Sequence, residues 1–209
     1  MRQIASPAQL RASLLRWCLV TVPAVLAFGF LSGQAGGSGA DNPWFAELVK
    51  PGIYPPPATF GIVWSILYVM MGIALALVIT ARGAPGRGAA ITAFLVQLAV
   101  NLAWSPLFFA AHEVRAALVL LCILILLVFL TTVLFVRIRP VAGALLVPYL
   151  VWCVFAAVLN YEFDRLNPGA SALQASGAAA RIQFDTLRPA VDDPISPAPE
   201  PSTGASGDN

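Results

Sequence analysis

Five long stretches without a charged residue run through this 209-residue chain. They cover residues 17–40, 60–81, 88–111, 116–136 and 140–161. An α-helix needs about 20 apolar residues to cross a bilayer core, where every backbone polar group must find its hydrogen-bond partner inside the protein. Charged residues make up only 11% of the chain, whereas soluble domains carry about 25%. The predicted fold class is therefore all-α, a polytopic membrane protein built as a five-transmembrane-helix bundle.

The predicted membrane domain covers residues 14–167. Its helices are expected at about 14–33, 59–81, 88–111, 114–136 and 140–163. Residues 1–13 form an N-terminal arm, and residues 168–209 form a tail rich in Pro, Ala and Ser. Such a tail cannot bury enough apolar surface to offset the entropy lost on ordering, so it is predicted to be disordered.

The first apolar stretch is the weakest of the five. Arg11 and Arg16 precede an apolar run that ends near Leu31 and is followed by small residues. This arrangement is also typical of a cleaved secretory signal peptide, whose removal would leave four helices. We prefer a retained first helix, because a short helix can cross where the bilayer thins.

Lysine and arginine are distributed unequally between alternate connectors. One side carries Arg2, Arg11, Arg16, Arg82, Arg87, Arg137 and Arg139. The other side carries Lys50, Arg115 and Arg165. The positive-inside rule therefore predicts a cytoplasmic N-terminus, with the long first loop and the C-terminus outside. The composition of the termini is compatible with a bacterial membrane.

Several function classes lack their usual residues. The net charge of +2 is too small to favour nucleic acid. The cysteines and the single histidine do not have the spacing of a metal site, so no metal is expected. No Ser-His-Asp set, paired carboxylates or Gly-rich phosphate loop is apparent. The prediction therefore assigns no catalytic residues and no required cofactor.

Two helices carry polar and aromatic side chains on one face. Gln97, Asn101 and Trp104 recur at helical spacing in the third helix. Tyr149, Trp152, Ala156 and Asn160 do the same in the fifth. Amides cannot face lipid cheaply, so these faces should point into the bundle. Two interpretations stay open, a ligand cavity or simple hydrogen bonding between helices.

The first loop contains the run DNPWFAELVKPGIYPPPATFGIVW. Three consecutive prolines fix their φ angles and make the segment stiff. It is predicted to form a lid over the outer end of the bundle. The alternative is that Pro55, Pro56 and Pro57 only prevent the second helix from starting early.

Three motifs occur in a recognisable order, namely WFAELVKPGIYPPPATFGIVWSILYVMMG, QLAVNLAWSPLFF and PYLVWCVFAAVLNYEFDRLN. Together they resemble the TspO/MBR family, the tryptophan-rich sensory proteins related to the translocator protein, from about Trp44 to Asn167. The resemblance implies a five-helix bundle, commonly a homodimer, whose outer cavity binds porphyrins and other flat apolar molecules.

The resemblance also implies site residues. The cavity would be lined by Asn101, Trp104, Trp152, Phe155 and Ala156, with Gln97, Tyr149 and Tyr54 as further candidates. A sterol-recognition pattern fits Leu159, Tyr161 and Arg165, although such patterns are weak on their own. Family members typically have tryptophan where this chain has Ile53 and Ala58, so a tetrapyrrole would lose stacking partners there.

Three functions follow as hypotheses. The leading one is a membrane protein that binds porphyrin or haem-type tetrapyrroles and modulates their transport or metabolism under stress. The second is an enzyme that degrades porphyrin in light, with Trp104 and Trp152 as redox partners. The third is a scaffold that binds membrane lipid or sterol and acts through partner contacts.

Overall fold

The computed structural model describes residues 6–170. Its helices are α1 (Pro7–Gly36), α2 (Pro43–Glu47), α3 (Pro57–Thr80), α4 (Arg87–Ser105), α5 (Val114–Ile138), α6 (Pro140–Ala144) and α7 (Val147–Leu166). A π-helical turn, Pro106–Ala110, continues α4. Residues 1–5 of the predicted arm and 171–209 of the predicted tail lie outside the described residues.

Five helical segments within residues 6–170 are long and apolar enough to cross a membrane. They are Pro7–Gly36, Pro57–Thr80, Arg87–Ala110, Val114–Ile138 and Pro140–Leu166. No β-strand occurs within these described residues. The predicted all-α, multi-pass bundle is therefore confirmed.

Helix α1 begins well before the predicted residue 14, because a capping box starts it at Pro7. The Ser6 hydroxyl accepts a hydrogen bond from the Gln9 backbone N–H at 3.3 Å, and the Gln9 side chain accepts from the Ser6 N–H at 2.9 Å. These bonds satisfy backbone donors that a helix start leaves free. The helix also ends three residues after the predicted residue 33, at Gly36. The next residue, Gly37, adopts the left-handed conformation that commonly ends a helix.

Helix α1 packs closely against α3 at Gly72. The Thr21 hydroxyl donates to the Gly72 carbonyl across the interface at 2.8 Å. A Cβ placed on Gly72 would lie 2.6 Å from the Val22 Cα. Small residues allow such an approach between membrane helices, where packing and interhelical hydrogen bonds replace the hydrophobic drive of water.

A proline changes the end of α4, which was predicted as one regular helix from 88 to 111. Pro106 has no backbone N–H to donate to the carbonyl of Leu102. The Ser32 hydroxyl of α1 donates to that carbonyl instead, at 2.5 Å. The chain then continues as the π-helical turn. A serine from another helix therefore satisfies the acceptor that the proline leaves free.

The last membrane segment is interrupted rather than continuous from 140 to 163. Helix α6 ends at Ala144 and α7 begins at Val147. Pro148 cannot donate to the Ala144 carbonyl, so one regular helical bond is missing at the break.

Prolines start helices as well, since the first turn needs no N–H donor. Accordingly α3 begins at Pro57, two residues before its predicted start.

Candidate functional site

A cavity of about 730 Å³ lies at the end of the bundle that carries the connection between α1 and α3. It is walled by the last turns of α1, the first half of α3, the second half of α4 with the π-helical turn, and the part of α7 from Trp152 to Phe163. Five of the predicted ligand-binding residues line it, namely Tyr54, Asn101, Trp104, Trp152 and Ala156. The fold therefore brings part of the polar faces of the third and fifth membrane segments to one partly open space.

The Trp104 ring is held from two directions. Its face stacks on Phe108 with a centroid distance of 5.1 Å. Its indole N–H donates to the Asn160 side-chain oxygen at 3.2 Å. Asn160 is itself fixed, because its amide nitrogen donates to the Val114 carbonyl at 2.9 Å. The ring is therefore pre-oriented before any ligand arrives.

Asn101 is positioned by a residue that the sequence analysis did not select. The Tyr68 hydroxyl of α3 donates to the Asn101 side-chain oxygen at 3.2 Å, and both residues line the cavity. Only 6% of Asn101 is exposed. Tyr68 lies four residues after Trp64 in α3, and that aromatic pair was the available signal.

Trp152 is held by ring contacts alone. Its ring centroid lies 5.9 Å from that of Phe60 and 5.1 Å from that of Phe155. Its buried indole nitrogen has no hydrogen-bond partner among the described residues, and the same holds for the hydroxyl of Ser105. Both residues line the cavity. These two polar atoms are themselves covered by protein, so they are not presented to a ligand in the cavity.

No Asp, Glu, Lys, Arg or His is among the cavity-lining residues of the described chain. A buried charge that is unpaired costs far more free energy than a buried amide or indole. The cavity therefore suits a ligand whose enclosed part is apolar and uncharged.

Three predicted site residues do not line this cavity. The Tyr149 hydroxyl donates to the Gln97 side-chain oxygen at 3.0 Å, and both residues are buried in the core beneath it. Gln97 lies one helical turn below Asn101, so packing against α7 encloses it. Phe155 lines a separate groove on the outside of the bundle. Helical spacing predicts which residues face the inside of the bundle. It does not predict which of them line the cavity and which are packed in the core below it.

The three residues of the sterol pattern do not share a face. Leu159 is buried and lines the cavity, whereas Tyr161 is 54% exposed. Arg165 pairs with Glu162 on its own helix at 2.6 Å. Any sterol contact would therefore involve Tyr161 and Arg165 without Leu159.

The loop over the cavity is packed as well as proline-rich. Phe45 of α2 is buried, and its ring lies 5.2 Å from Phe109 and 5.5 Å from Phe163. The Lys50 ammonium lies 4.3 Å above the Phe45 ring and donates to the Phe45 and Leu48 carbonyls, the latter at 2.8 Å. Partial burial lowers the pKa of Lys50.

Asn167, at the end of α7, ties this loop to the bundle. Its side-chain oxygen accepts from the Val49 backbone N–H at 2.8 Å, and its amide nitrogen donates to the Val49 carbonyl at 3.1 Å. Its amide nitrogen also lies 3.0 Å from the Phe163 carbonyl. One amide group thus pairs with both backbone polar groups of a loop residue.

We expect Asn167→Ala to loosen the loop without unfolding the bundle. Two hydrogen bonds to Val49 are lost, each worth about 1 kcal/mol, so the Val49 amide should exchange with solvent roughly 10- to 30-fold faster. Hydrogen–deuterium exchange read by mass spectrometry on the peptide around Val49 measures this. Amides in the middle of α5 serve as the internal control, and an unchanged Val49 peptide would contradict the assignment.

The two positions where family members typically carry tryptophan lie away from the cavity wall. Ile53 is 48% exposed, and Ala58 is also exposed. Neither residue lines the cavity. The aromatic wall is supplied instead by Phe60, Trp64 and Tyr68 of α3 together with Trp104 and Trp152.

Comparison with known proteins agrees with this architecture. The TspO/MBR family model matches residues 20–166. Protein CrtK of Rhodobacter capsulatus is 37% identical over 139 residues, which are 66% of this chain and 87% of that protein. Tryptophan-rich protein TspO of Chlorobaculum tepidum is 36% identical over 154 residues, 72% of this chain and 98% of that protein. The human translocator protein is 40% identical over 128 residues, 60% of this chain and 76% of that protein. This integral, multi-pass membrane protein belongs to the TspO/MBR family.

Proposed function

We propose that this protein binds a tetrapyrrole or a similarly flat apolar molecule in the cavity and responds to it or carries it within the membrane. The observation that supports this most is the meeting of Trp104, Trp152 and Asn101 around one space of about 730 Å³. Pockets for small molecules and cofactors usually measure about 300–1,000 Å³. The size and the lining both favour a ligand with a broad aromatic face.

The chemistry of the wall supports a flat ring. Indole rings stack on conjugated systems in offset or edge-on arrangements, each worth about 0.5–1.5 kcal/mol beyond the buried area. Trp104 contributes its face only, because its N–H is already bonded to Asn160.

The uncharged lining that the structure describes favours one orientation of a porphyrin in the cavity. Its carboxylates would meet no cation on the wall that the structure describes, and burying them unpaired would be costly. We therefore infer that the macrocycle enters first and that the carboxylates stay at the mouth beneath the loop. By the charge distribution of the connectors this mouth lies on the outer side.

The names of relatives are consistent with a ligand response or movement. One relative, from Cereibacter sphaeroides, is called tryptophan-rich sensory protein, and the mammalian relatives are called translocator protein. The homodimer and the sterol contact stay predictions.

A titration with protoporphyrin tests the proposal. Purified protein in detergent should show saturable quenching of its tryptophan fluorescence. Trp104→Phe and Trp152→Phe should each weaken the affinity by about 2- to 10-fold, the equivalent of one lost stacking contact. Trp17→Phe is the matched control, because Trp17 lies on α1 and does not line the cavity. Quenching that does not saturate, or three variants with equal affinity, would contradict the proposal.

A further inference from the structure

A second apolar recess lies on the outside of the bundle, between α3 and α7. It encloses about 460 Å³ and is lined by Val63, Ile66, Leu67, Met70, Pro148, Val151, Trp152 and Phe155. On each helix the first and last lining residues are seven residues apart, so the groove is roughly 10 Å long at 1.5 Å per residue. We refer to these eight residues as the α3–α7 groove.

Trp152 belongs to both spaces. It is among the residues that line the cavity and among those that line the α3–α7 groove. The ring contacts Phe60 on the cavity side and Phe155 on the groove side. The two spaces therefore share this residue as part of their walls.

The position of the groove along the two membrane segments indicates which part of the bilayer it faces. Trp152 lies about midway along the segment Pro140–Leu166, and Val63–Met70 lies around the middle of Pro57–Thr80. Both segments are long and apolar enough to cross the membrane. Mid-span residues face the hydrocarbon interior, where the methyl ends of lipid chains lie. Apart from the indole N–H of Trp152, which is covered by protein, the groove lining has no charged or polar side-chain group to bind a headgroup.

The shape of the groove favours a single flexible chain over a second copy of the protein. Its floor residue Leu67 is 4% exposed, whereas its rim residues Ile66 and Val151 are 55% and 63% exposed. Close packing of membrane helices is favoured by Gly, Ala, Ser or Thr at the contact. None of these occurs in the lining, and branched rim side chains would hold a partner backbone away from the floor. Met70 can adapt its shape to a chain that changes conformation.

From these observations we infer that the α3–α7 groove is a binding site for the methyl-terminal part of a lipid acyl chain, seated against the outer surface of Trp152. The inference concerns the outer surface of the indole and does not depend on what occupies the cavity. It places bilayer lipid in contact with a ring that also forms the wall of the proposed ligand site.

Lipids with brominated acyl chains test this site, because bromine quenches the fluorescence of an indole that it touches. The protein is reconstituted in vesicles of phosphatidylcholine brominated near the methyl end or near the headgroup. The emission of Trp152 is taken as the difference between each protein and its Trp152→Phe counterpart. We expect methyl-end bromines to remove most of this emission and headgroup-proximal bromines to remove little.

A matched pair of variants separates a defined site from general lipid contact. Ile66→Phe places a ring in the groove and should restore most of the Trp152 emission. Ile62→Phe makes the same change one turn away, at a residue that is 62% exposed and outside the groove, and should restore none. Both positions face outward, so both variants should fold, which circular dichroism checks.

Three results would overturn the inference. They are equal Trp152 emission in brominated and ordinary lipid, equal quenching in the two isoleucine variants, and loss of quenching as the protein-to-lipid ratio rises. The last result would show that a second copy covers the groove. Because no porphyrin is used, failure here is distinguishable from failure of the proposed ligand site.

Discussion

Replacing Gly72 with alanine is expected to force α1 away from α3 and to destabilise the bundle by about 1–3 kcal/mol, the usual cost of overpacking a filled interface. The added Cβ would lie 2.6 Å from the Val22 Cα and 3.0 Å from the Val22 nitrogen. Both atoms belong to the backbone, so no side-chain rotation relieves the clash. Separation of the helices would also stretch the hydrogen bond from Thr21 to the Gly72 carbonyl.

The matched control is Gly61→Ala on the same helix. A Cβ at Gly61 meets nothing within 4 Å. Alanine there should leave stability unchanged or raise it slightly, since glycine is the weaker helix former. Thermal unfolding in detergent, followed by circular dichroism, compares the two variants with the parent. Equal midpoints for both would mean that α1 and α3 are not packed as closely as the structure has them.

Filling the cavity at Ala156 is expected to have the largest effect on ligand binding. Ala156 lines the cavity on the same face of α7 as Trp152 and Asn160, one turn from each. Ala156→Leu adds three heavy atoms that project into the space where a flat ring would lie against Trp152. A ligand would have to displace them at a cost of about 1–3 kcal/mol. The affinity for protoporphyrin should therefore fall roughly 10- to 100-fold.

Val158→Leu is the control for this substitution, because Val158 is 49% exposed and does not line the cavity. It should bind protoporphyrin with the parent's affinity. The thermal midpoints of both variants should stay near that of the parent, since neither site is a filled core. Retained affinity in Ala156→Leu would place the ligand outside this cavity.

The pattern of charge and hydropathy was sufficient to predict the membrane-spanning helices. In lipid, a helix satisfies every backbone hydrogen bond within its own segment. The differences lie at helix ends and at one interruption, and those in α1, α3, α4 and the last segment have identifiable causes. The Ser6 and Gln9 capping box extended α1, and prolines set the start of α3 and the break before α7. Pro106 changed the end of α4, where the compensating donor, Ser32, comes from a helix 70 residues away in the chain.

The inward direction of the site residues was also readable from the sequence, since an amide in hydrocarbon must face protein. Spacing placed Asn101 with Trp104 and Trp152 with Ala156, and all four line one cavity. Spacing could not tell Asn101 from Gln97, because both lie on the same face and differ only in what packs opposite them. Tyr149 closes the core over Gln97, while a cavity is left opposite Asn101.

The amino-acid order by itself determined how many times the chain crosses the membrane and which faces turn inward, since both depend on the transfer of individual side chains between water and lipid. The tertiary structure alone decided how deep the cavity reaches, how Asn167 holds the loop, and that Trp152 stands between the cavity and the α3–α7 groove. Those features arise from contacts between residues far apart in the chain, whose distances no local pattern encodes.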